Sequence, residues 1–399
     1  MAASTAASPG GASGTIRFLA HTAIESSLAP IIKDFEQAYP KIHVNAQYVA
    51  PGNTYVQALT TQVQGGNTPD VFYTNAGPSS NGTVSLVPLA KAGKLANLAG
   101  EPWSGQVPQA AHDLYWVNGG LYGLPLFESP LAVEYNTTEF HKLGLTPPTT
   151  WAQMLQLCTK IKAAGKIPIG EPGQAAVILP LEIAASSVYA NDAHWDAQRA
   201  AGQVTFAGSA GWQEALQRVQ QMNKLGCFQP GAAGTSVPAA FQMVGSGQAL
   251  MFVGPVDAIG AFGPNAASTF AAFPIPGNTP ASTYAMITYS DALAVSSTSS
   301  NKAAAIKFVN FVASAAEASK LAKLNVAISL SQAQSLSLPA ALSSFTPFYK
   351  ANKVVSYAPD AWPNGGVLLS GLLPGTTGLL TGQQTPATVL KTMDQQWSK

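Results

Sequence analysis

Apolar and polar positions follow two periods along the chain from Thr15 onward. The segments TIRFLA (residues 15–20) and KIHVNAQYV (residues 41–49) have the alternation of strands, and apolar residues between them recur at helical spacing until Pro40. A second helix is predicted over residues 54–66 and a third strand over residues 69–75. The order strand–helix–strand–helix–strand is typical of a parallel sheet with helical crossovers.

A similar succession of helices and strands begins again after residue 148. The predicted elements are helices over residues 149–166 and 209–226 and strands over residues 166–170 and 247–255. Trp151, Trp212 and Trp397 fall on apolar helix faces, so we expect these three side chains in the core. The pattern therefore predicts two α/β units in one chain.

The segment GLPLFESPLAVEYN (residues 123–136) contains a strand pattern that is preceded by Pro125 and Pro130. Proline cannot donate to a sheet ladder, so this segment is predicted to be an edge or a crossing. Glu128 and Glu134 lie on it, and six residues of strand would separate them by roughly 20 Å, too far for a pair of glycosidase carboxylates. We expect Glu134 to be solvated.

Composition excludes several classes of protein. Only 10% of the residues are charged and the net charge is +1, without a basic block, so nucleic acid is not expected as a partner. The longest apolar runs are too short for a membrane helix. The five histidines are scattered, and phosphate-binding, dinucleotide-binding and nucleophile-elbow motifs are absent. We therefore expect neither a metal nor a cofactor.

Eight segments together resemble family 1 of the extracellular solute-binding proteins of ABC importers, which includes maltose-binding proteins. They are FEQAYPKIHV, GGNTPDVFYTN, GLYGLPLFESPLAVEYN, PPTTWAQM, GSGQALMFVGP, AAFPIPG, AAIKFVNFVAS and LLTGQQTPATVL. Each segment alone is a weak signal, and their order and spacing carry the resemblance. This chain departs from the family in having unusually few charged residues.

The resemblance implies a two-lobed α/β fold in which each lobe is a mixed or parallel sheet flanked by helices. Crossing hinge strands are expected near residues 131–135 and 287–292, with a third crossing after Val326. The implied domains are a flexible linker at residues 1–14, lobe 1 at residues 15–131 plus 292–338, and lobe 2 at residues 135–287 plus 339–399. Ligand would lie between the lobes.

The resemblance also implies a function without catalysis. The protein is expected to capture a sugar or oligosaccharide by hinge closure and to deliver it to the transmembrane subunits of an ABC permease. We expect an exported monomer, periplasmic or anchored as a cell-surface lipoprotein, with its signal peptide already removed. A polyamine, a metal ion or another small solute remains an alternative ligand on the same fold, and a glycosidase remains a less favoured alternative function.

The strand ends supply candidate ligand contacts independently of the family. They are His21, Glu25, Thr74, Asn75, Phe127, Glu128, Ser129, Glu171, Gln174, Asp257, Tyr289, Ser290, Asp291, Trp362 and Asn364. Glu25 could instead favour a helix dipole, and Asp257 could cap a helix. Asp70, in a Pro-Asp turn, is predicted to be structural.

Trp362 is the preferred stacking platform for a sugar ring. It lies in the loop YAPDAWPNGG between Pro359 and Pro363, without an apolar periodic partner. An indole there would offer a flat apolar face to a pyranose. The alternative is that Trp362 packs the C-terminal helices together.

Cys158 and Cys227 are the only cysteines. An even count in an exported protein favours a disulfide, which we predict within lobe 2. Two separate buried thiols are the alternative.

Overall fold

The computed structural model describes residues 13–78, 82–289 and 291–398, so the predicted linker falls almost wholly outside the described residues. The strands are β1 Gly14–His21, β2 Ile42–Val49, β3 Val71–Asn75, β4 Trp116–Val117, β5 Gly120–Leu121, β6 Leu124–Pro125, β7 Ser129–Asn136, β8 Ile167–Ile169, β9 Ala249–Pro255, β10 Phe270–Phe273, β11 Ala285–Thr288, β12 Asp291–Val295 and β13 Val354–Ser356.

The helices pack around these strands. They are α1 Glu25–Ala38, α2 Asn53–Gln64, α3 Leu86–Lys91, α4 His112–Tyr115, α5 Thr137–Lys142, α6 Trp151–Ala163, α7 Ile178–Ala184, α8 Trp195–Ala200, α9 Ala210–Leu225, α10 Val237–Gly245, α11 Ala266–Thr269, α12 Lys302–Val312, α13 Ala315–Leu324, α14 Leu330–Ser335, α15 Thr346–Lys350, α16 Leu373–Thr381 and α17 Pro386–Trp397. None of the described helices is long and apolar enough to cross a membrane.

The first sheet has the strand order β2-β1-β3-β12-β6, and we call the part of the chain built on it lobe 1. β1 runs parallel to β2 and to β3, whereas β12 runs antiparallel to β3 and places Asp291 opposite Asn75. Phe35 of α1 and Phe308 of α12 are fully buried against this sheet and contact each other edge to face. The parallel strand–helix–strand units predicted from the sequence are therefore confirmed.

The second sheet has the order β13-β11-β7-β9-β8, and the part of the chain built on it is lobe 2. β7 runs antiparallel to β9, while β11 pairs with its first residues and β10 with its last residues. The indoles of Trp151 and Trp212 are buried on one side of this sheet, as predicted, and Trp397 packs against the same core while partly exposed.

The prolines of residues 123–136 lie where the chain leaves one sheet and joins the other. Pro125 ends β6 in the first sheet, and Pro130 is the second residue of β7 in the second sheet, paired on one side only with Ile287. Glu128 lies between these strands and exchanges both backbone hydrogen bonds with Ile328, at 2.8 and 2.9 Å. This pairing places Ile328 beside the first crossing, whereas the lobe boundaries given above stay predictions.

The predicted disulfide between Cys158 and Cys227 is present, with Cα atoms 5.2 Å apart. Cys158 lies on the buried face of α6, and Cys227 follows Gly226, which ends α9 in the left-handed conformation at φ 73°. The bond closes a sequence separation of 69 residues and ties these two helices of lobe 2 together.

Candidate functional site

The strand ends of the two sheets, which we call the lobe 1 edge and the lobe 2 edge, are joined by the second crossing, and we call the region between them the cleft. β11 of lobe 2 ends at Thr288 and β12 of lobe 1 begins at Asp291, so a short crossing joins the two edges. β1 and β3 end at the lobe 1 edge, and β9 ends at the lobe 2 edge beside the start of β7. Open α/β sheets bind ligands at the carboxyl ends of their strands, so this cleft is the candidate site.

The lobe 1 edge of the cleft carries a chain of polar side chains. The amide of Asn75 donates to the hydroxyl of Tyr73 at 3.2 Å, and this hydroxyl donates to the Asp291 carboxylate. Burial raises the pKa of Asp291, and the hydrogen bond from Tyr73 lowers it. His21 contacts Tyr73 edge to face at 4.4 Å between ring centroids, and burial lowers the pKa of its imidazole.

The lobe 2 edge carries a second polar pair. The hydroxyl of Ser129, the first residue of β7, donates to Oδ1 of Asp257 at 2.9 Å. Desolvation by the surrounding protein raises the pKa of the Asp257 carboxyl, and the negative charge of Asp291 raises it further. The charge of Asp291, at the start of β12 in lobe 1, therefore acts on the Asp257 carboxyl, which follows β9 in lobe 2.

Glu171 lies just beyond β8, at the same edge of lobe 2. Its backbone is held by the Gln229 amide, which accepts from the Glu171 N–H at 2.9 Å and donates to its carbonyl at 2.6 Å. Burial raises the pKa of the Glu171 carboxyl to about 8. Gln174 follows in the same loop, and its side chain lies outside the described residues.

Tyr48 is a residue of this region that the sequence analysis did not select. It lies near the end of β2, and its hydroxyl has no hydrogen-bond partner among the described residues. Burial and the negative charge of Glu25 raise the pKa of Tyr48 to about 12. The alternation of apolar and polar residues that predicted β2 also places Tyr48 next to the end of that strand. This pattern could have identified Tyr48 as a candidate.

Two of the predicted ligand-contact residues instead interact with other residues of lobe 1. The Thr74 side chain is fully buried, and its hydroxyl donates to the carbonyl of Val84 at 2.7 Å. Phe127 is packed in the lobe 1 core. Strand ends identify the right edge of a sheet, but they do not identify which side chains point inward.

Glu128 and Tyr289 lie at the crossings but do not join the polar side chains of the cleft. Oε2 of Glu128 accepts a hydrogen bond from the Tyr349 hydroxyl at 2.6 Å, and its carboxyl is fully buried. Tyr289 is buried beside it. The prediction of Glu128 as a ligand contact in the cleft is therefore corrected, because its carboxyl bonds to Tyr349, whereas the neighbouring Ser129 bonds to Asp257.

The prediction of Trp362 as an exposed stacking platform is wrong. Its side chain is fully buried, with ring centroids 5.5 Å from Phe206 and 6.1 Å from Trp212. Its indole N–H donates to Oδ1 of Asp196 at 3.1 Å. Trp362 thus packs the lobe 2 core, which was the alternative interpretation, because partners distant in sequence supply the apolar surface that its own loop lacks.

Asn364 is engaged locally as well. Its Oδ1 accepts from the Gly366 N–H at 2.8 Å and its Nδ2 donates to the Gln396 carbonyl at 3.2 Å, so its amide joins the loop to α17. Ser290 lies outside the described residues.

Another correction concerns Glu134, which was expected to be solvated. Its side chain is fully buried in β7, and burial raises its pKa well above the ordinary value. Asp70, in contrast, is structural as predicted: it accepts the backbone N–H of Arg17 at 2.8 Å and the hydroxyl of Ser299 at 2.6 Å.

The described residues form no cluster of three or more side chains suited to hold a metal ion. The cleft instead brings together an imidazole, an amide, a hydroxyl and carboxyl groups. These are His21, Asn75, Ser129, Asp257, Asp291 and, beyond β8, Glu171. Contact of any of them with a ligand stays a prediction.

The family model of bacterial extracellular solute-binding proteins matches residues 20–319. The chain belongs to this family. The chain is 33% identical over 150 residues to the multiple sugar-binding protein of Streptococcus mutans, and the match covers 38% of this chain and 34% of that relative. A binding protein of Brucella abortus is 32% identical over 137 residues, 33% of this chain and 31% of the relative. These matches thus span about a third of the curated relatives' length.

Solved structures resemble the solute-binding protein over nearly its whole length. The solute-binding protein RafE in complex with raffinose has a TM-score of 0.77 at 21% identity, covering 96% of this chain and 99% of that one. A chitin oligosaccharide binding protein has a TM-score of 0.73 at 19% identity, covering 96% and 98%. At these identities the likeness establishes the two-lobed α/β fold.

Proposed function

We propose that this solute-binding protein captures a sugar or oligosaccharide between its lobes and delivers it to the permease of an ABC importer. Family membership supports a solute receptor, and the curated relative named as a multiple sugar-binding protein supports the class of ligand. The similar solved structure in complex with raffinose also supports a sugar as the ligand.

The observation that carries the proposal is the facing arrangement of polar side chains from both lobes. Asn75 and Asp291 lie on the lobe 1 edge, and Ser129 and Asp257 lie on the lobe 2 edge. Sugar hydroxyls need donors and acceptors in several directions, and carboxylates accept hydrogen bonds more strongly than neutral groups do. A ligand that bonds to both edges would hold the lobes together, so closure follows from binding.

We propose a receptor and not a glycosidase. Glu128 and Glu134, the carboxylates that first suggested hydrolysis, have separate surroundings: Glu128 bonds to Tyr349, and Glu134 is buried within the second sheet. The protein is further proposed to work as a monomer outside the cytoplasm, as a periplasmic or lipid-anchored receptor with the lobe boundaries predicted above.

Calorimetric titration with raffinose, maltose and chitobiose tests the proposal, with spermidine as the competing class of ligand. One sugar should bind and raise the melting temperature, because a ligand that binds only the native state stabilises it. Asp257→Asn should weaken that binding by about 10- to 100-fold, since a hydrogen bond to a charged group contributes about 1.5–3 kcal/mol.

Asp34→Asn is the matched control, because Asp34 pairs with Lys320 on the helices of lobe 1. It should bind the sugar as the wild type does. If the protein binds spermidine and no sugar, the proposed class of ligand is wrong. If it releases sugar from aryl glycosides, the proposed function as a receptor is wrong. Small-angle scattering should show a smaller radius of gyration with the sugar, as expected for hinge closure.

A further inference from the structure

A second pocket lies at the hinge, with a volume of about 300 Å³. Residues 106–110 of lobe 1 line one side of it, and Tyr349 and Asn352 line another. Glu128 and Tyr289, from the first and second crossings, also line it, and we call it the rear pocket. It contains none of the polar side chains that face the cleft.

The rear pocket lies on the opposite side of the first crossing from the cleft. Consecutive residues of an extended strand point to opposite faces. Ser129 bonds to Asp257 at the cleft, whereas Glu128 bonds to Tyr349 in the rear pocket. A ligand in the rear pocket is therefore separate from a ligand in the cleft.

Two buried polar atoms of the rear pocket have no hydrogen-bond partner among the described residues. They are Oε1 of Glu128 and the hydroxyl of Tyr289, whose residues are 0% and 1% exposed. Oε2 of the same carboxyl already accepts from Tyr349 at 2.6 Å. Buried polar atoms in folded proteins are nearly always paired, so two neighbouring exceptions in one pocket indicate an occupant with hydrogen-bond donors.

The chemistry of the lining selects the charge of that occupant. Glu128 is its only carboxyl group, Tyr289 and Tyr349 are its other titratable side chains, and it contains no Lys or Arg. We propose that the rear pocket binds a small primary amine as its ammonium ion, which donates to Oε1 of Glu128 and to the Tyr289 hydroxyl. Charge-assisted hydrogen bonds and aromatic rings together suit such a cation.

The protonation state of Glu128 links this binding to pH. Burial raises the pKa of Glu128 to about 8, and burial also raises the pKa of Tyr289 and of Tyr349, so both hydroxyls stay neutral. At neutral pH the Glu128 carboxyl is mostly protonated when no amine is bound, and a bound cation favours loss of that proton. Amine binding should therefore strengthen as the pH rises from 6 towards about 8.

Saturation-transfer NMR with methylammonium chloride tests the proposal, because the methyl protons report binding directly. An ion with two non-hydrogen atoms has at most millimolar affinity, so the titration extends to about 100 mM against sodium chloride at equal ionic strength. Wild-type protein should show saturable transfer. Glu128→Gln should weaken it at least about 10-fold, and Tyr289→Phe should weaken it to a smaller extent.

Asp257→Asn, which changes the cleft, should leave methylammonium binding unaltered and so distinguishes the two sites. Absence of saturable transfer in the wild type would mean that the rear pocket holds water only, and this result would overturn the proposal. Equal binding by Glu128→Gln would overturn the proposal as well. If Glu128→Gln does not fold, equal binding by Tyr289→Phe would overturn it instead. Neither result depends on whether the cleft binds a sugar.

Discussion

Asp70 in lobe 1 and Glu134 in lobe 2 are both buried acids, with exposed fractions of 2% and 0%. Asp70 accepts hydrogen bonds from the Arg17 backbone and the Ser299 hydroxyl, and the Arg17 guanidinium lies 3.7 Å away. Glu134 has no such donor beyond its own backbone among the described residues. The two acids are therefore both buried, and they differ in the hydrogen-bond donors and the cation around them.

The contrast extends through lobe 2. Burial raises the pKa of both Glu171 and Glu182 to about 8 and that of Asp196 to about 7. Glu182 accepts one backbone N–H, from Ile275, and Asp196 accepts from Tyr189 and Trp362. Glu171, Glu182 and Asp196 of lobe 2 thus have raised pKa values, whereas Asp70 of lobe 1 has two hydrogen-bond donors and a neighbouring cation.

The largest expected effect is a loss of stability as the pH rises from about 4.5 to about 8. Between pH 4.5 and about 8 the native state binds more protons than the unfolded chain, because the folded pKa values of Glu171 and Glu182 are raised. The free energy of unfolding therefore falls as the pH rises through this interval. A single carboxyl group shifted this far contributes up to roughly 5 kcal/mol, since one pKa unit is worth about 1.4 kcal/mol.

Urea unfolding at a series of pH values measures this slope. Glu134→Gln and Glu182→Gln should each make the unfolding free energy less dependent on pH, because a neutral amide replaces a group that must ionise. Asp70→Asn is the control in lobe 1: it should lower stability without removing the dependence of the unfolding free energy on pH between about 4.5 and about 8. A wild-type protein equally stable at pH 5 and pH 9 would contradict the comparison between the lobes.

Trp362→Ala should have the next largest effect, a loss of about 3–5 kcal/mol in the free energy of unfolding, as for other large buried aromatic side chains. The change would leave a cavity beside Trp212 and remove a donor from Asp196. Sugar affinity measured below the new melting temperature should be unchanged. Weaker sugar binding at full stability would restore Trp362 as a stacking platform.

What could be predicted from the sequence was local in origin. The succession of strands and helices in lobe 1, the edge or crossing marked by Pro125 and Pro130, and the disulfide partners followed from periodicity, proline chemistry and the cysteine count. Trp362 and Glu134 could not be placed in this way. Their surroundings come from α8, α9 and β10, which are distant in sequence, and neither side chain has a local pattern that separates a buried position from an exposed one.

Among the candidate ligand contacts, the same limit explains the errors. Ser129 and Glu128 are adjacent and both polar, so the sequence could identify the crossing but not the face to which each side chain points. The edge of each sheet was therefore predictable, whereas the choice of side chains at that edge required the tertiary contacts.

The double variant Cys158→Ser/Cys227→Ser removes the disulfide of lobe 2. It tests the contribution of a covalent crosslink that the described part of lobe 1 lacks. The expected loss is about 2–5 kcal/mol, and the chain-entropy model gives roughly 4 kcal/mol for a loop of this length. Denaturant unfolding of the double variant measures it. Thiol titration of the unreduced, denatured wild type should find no free thiol; two free thiols would remove the physical basis of the comparison.

The smallest effect is expected for the ion pair between Asp34 of α1 and Lys320 of α13 in lobe 1. Both side chains are more than a third exposed, at 37% and 38%, so solvent screens their attraction and Asp34→Asn should cost less than about 1 kcal/mol. The cost should shrink further at 1 M salt, where the Debye length is about 3 Å. Thermal unfolding in low and high salt measures both quantities. A loss as large as that of Trp362→Ala, or one that salt does not reduce, would show that the charges of lobe 1 contribute to its stability as strongly as the buried side chains of lobe 2 do.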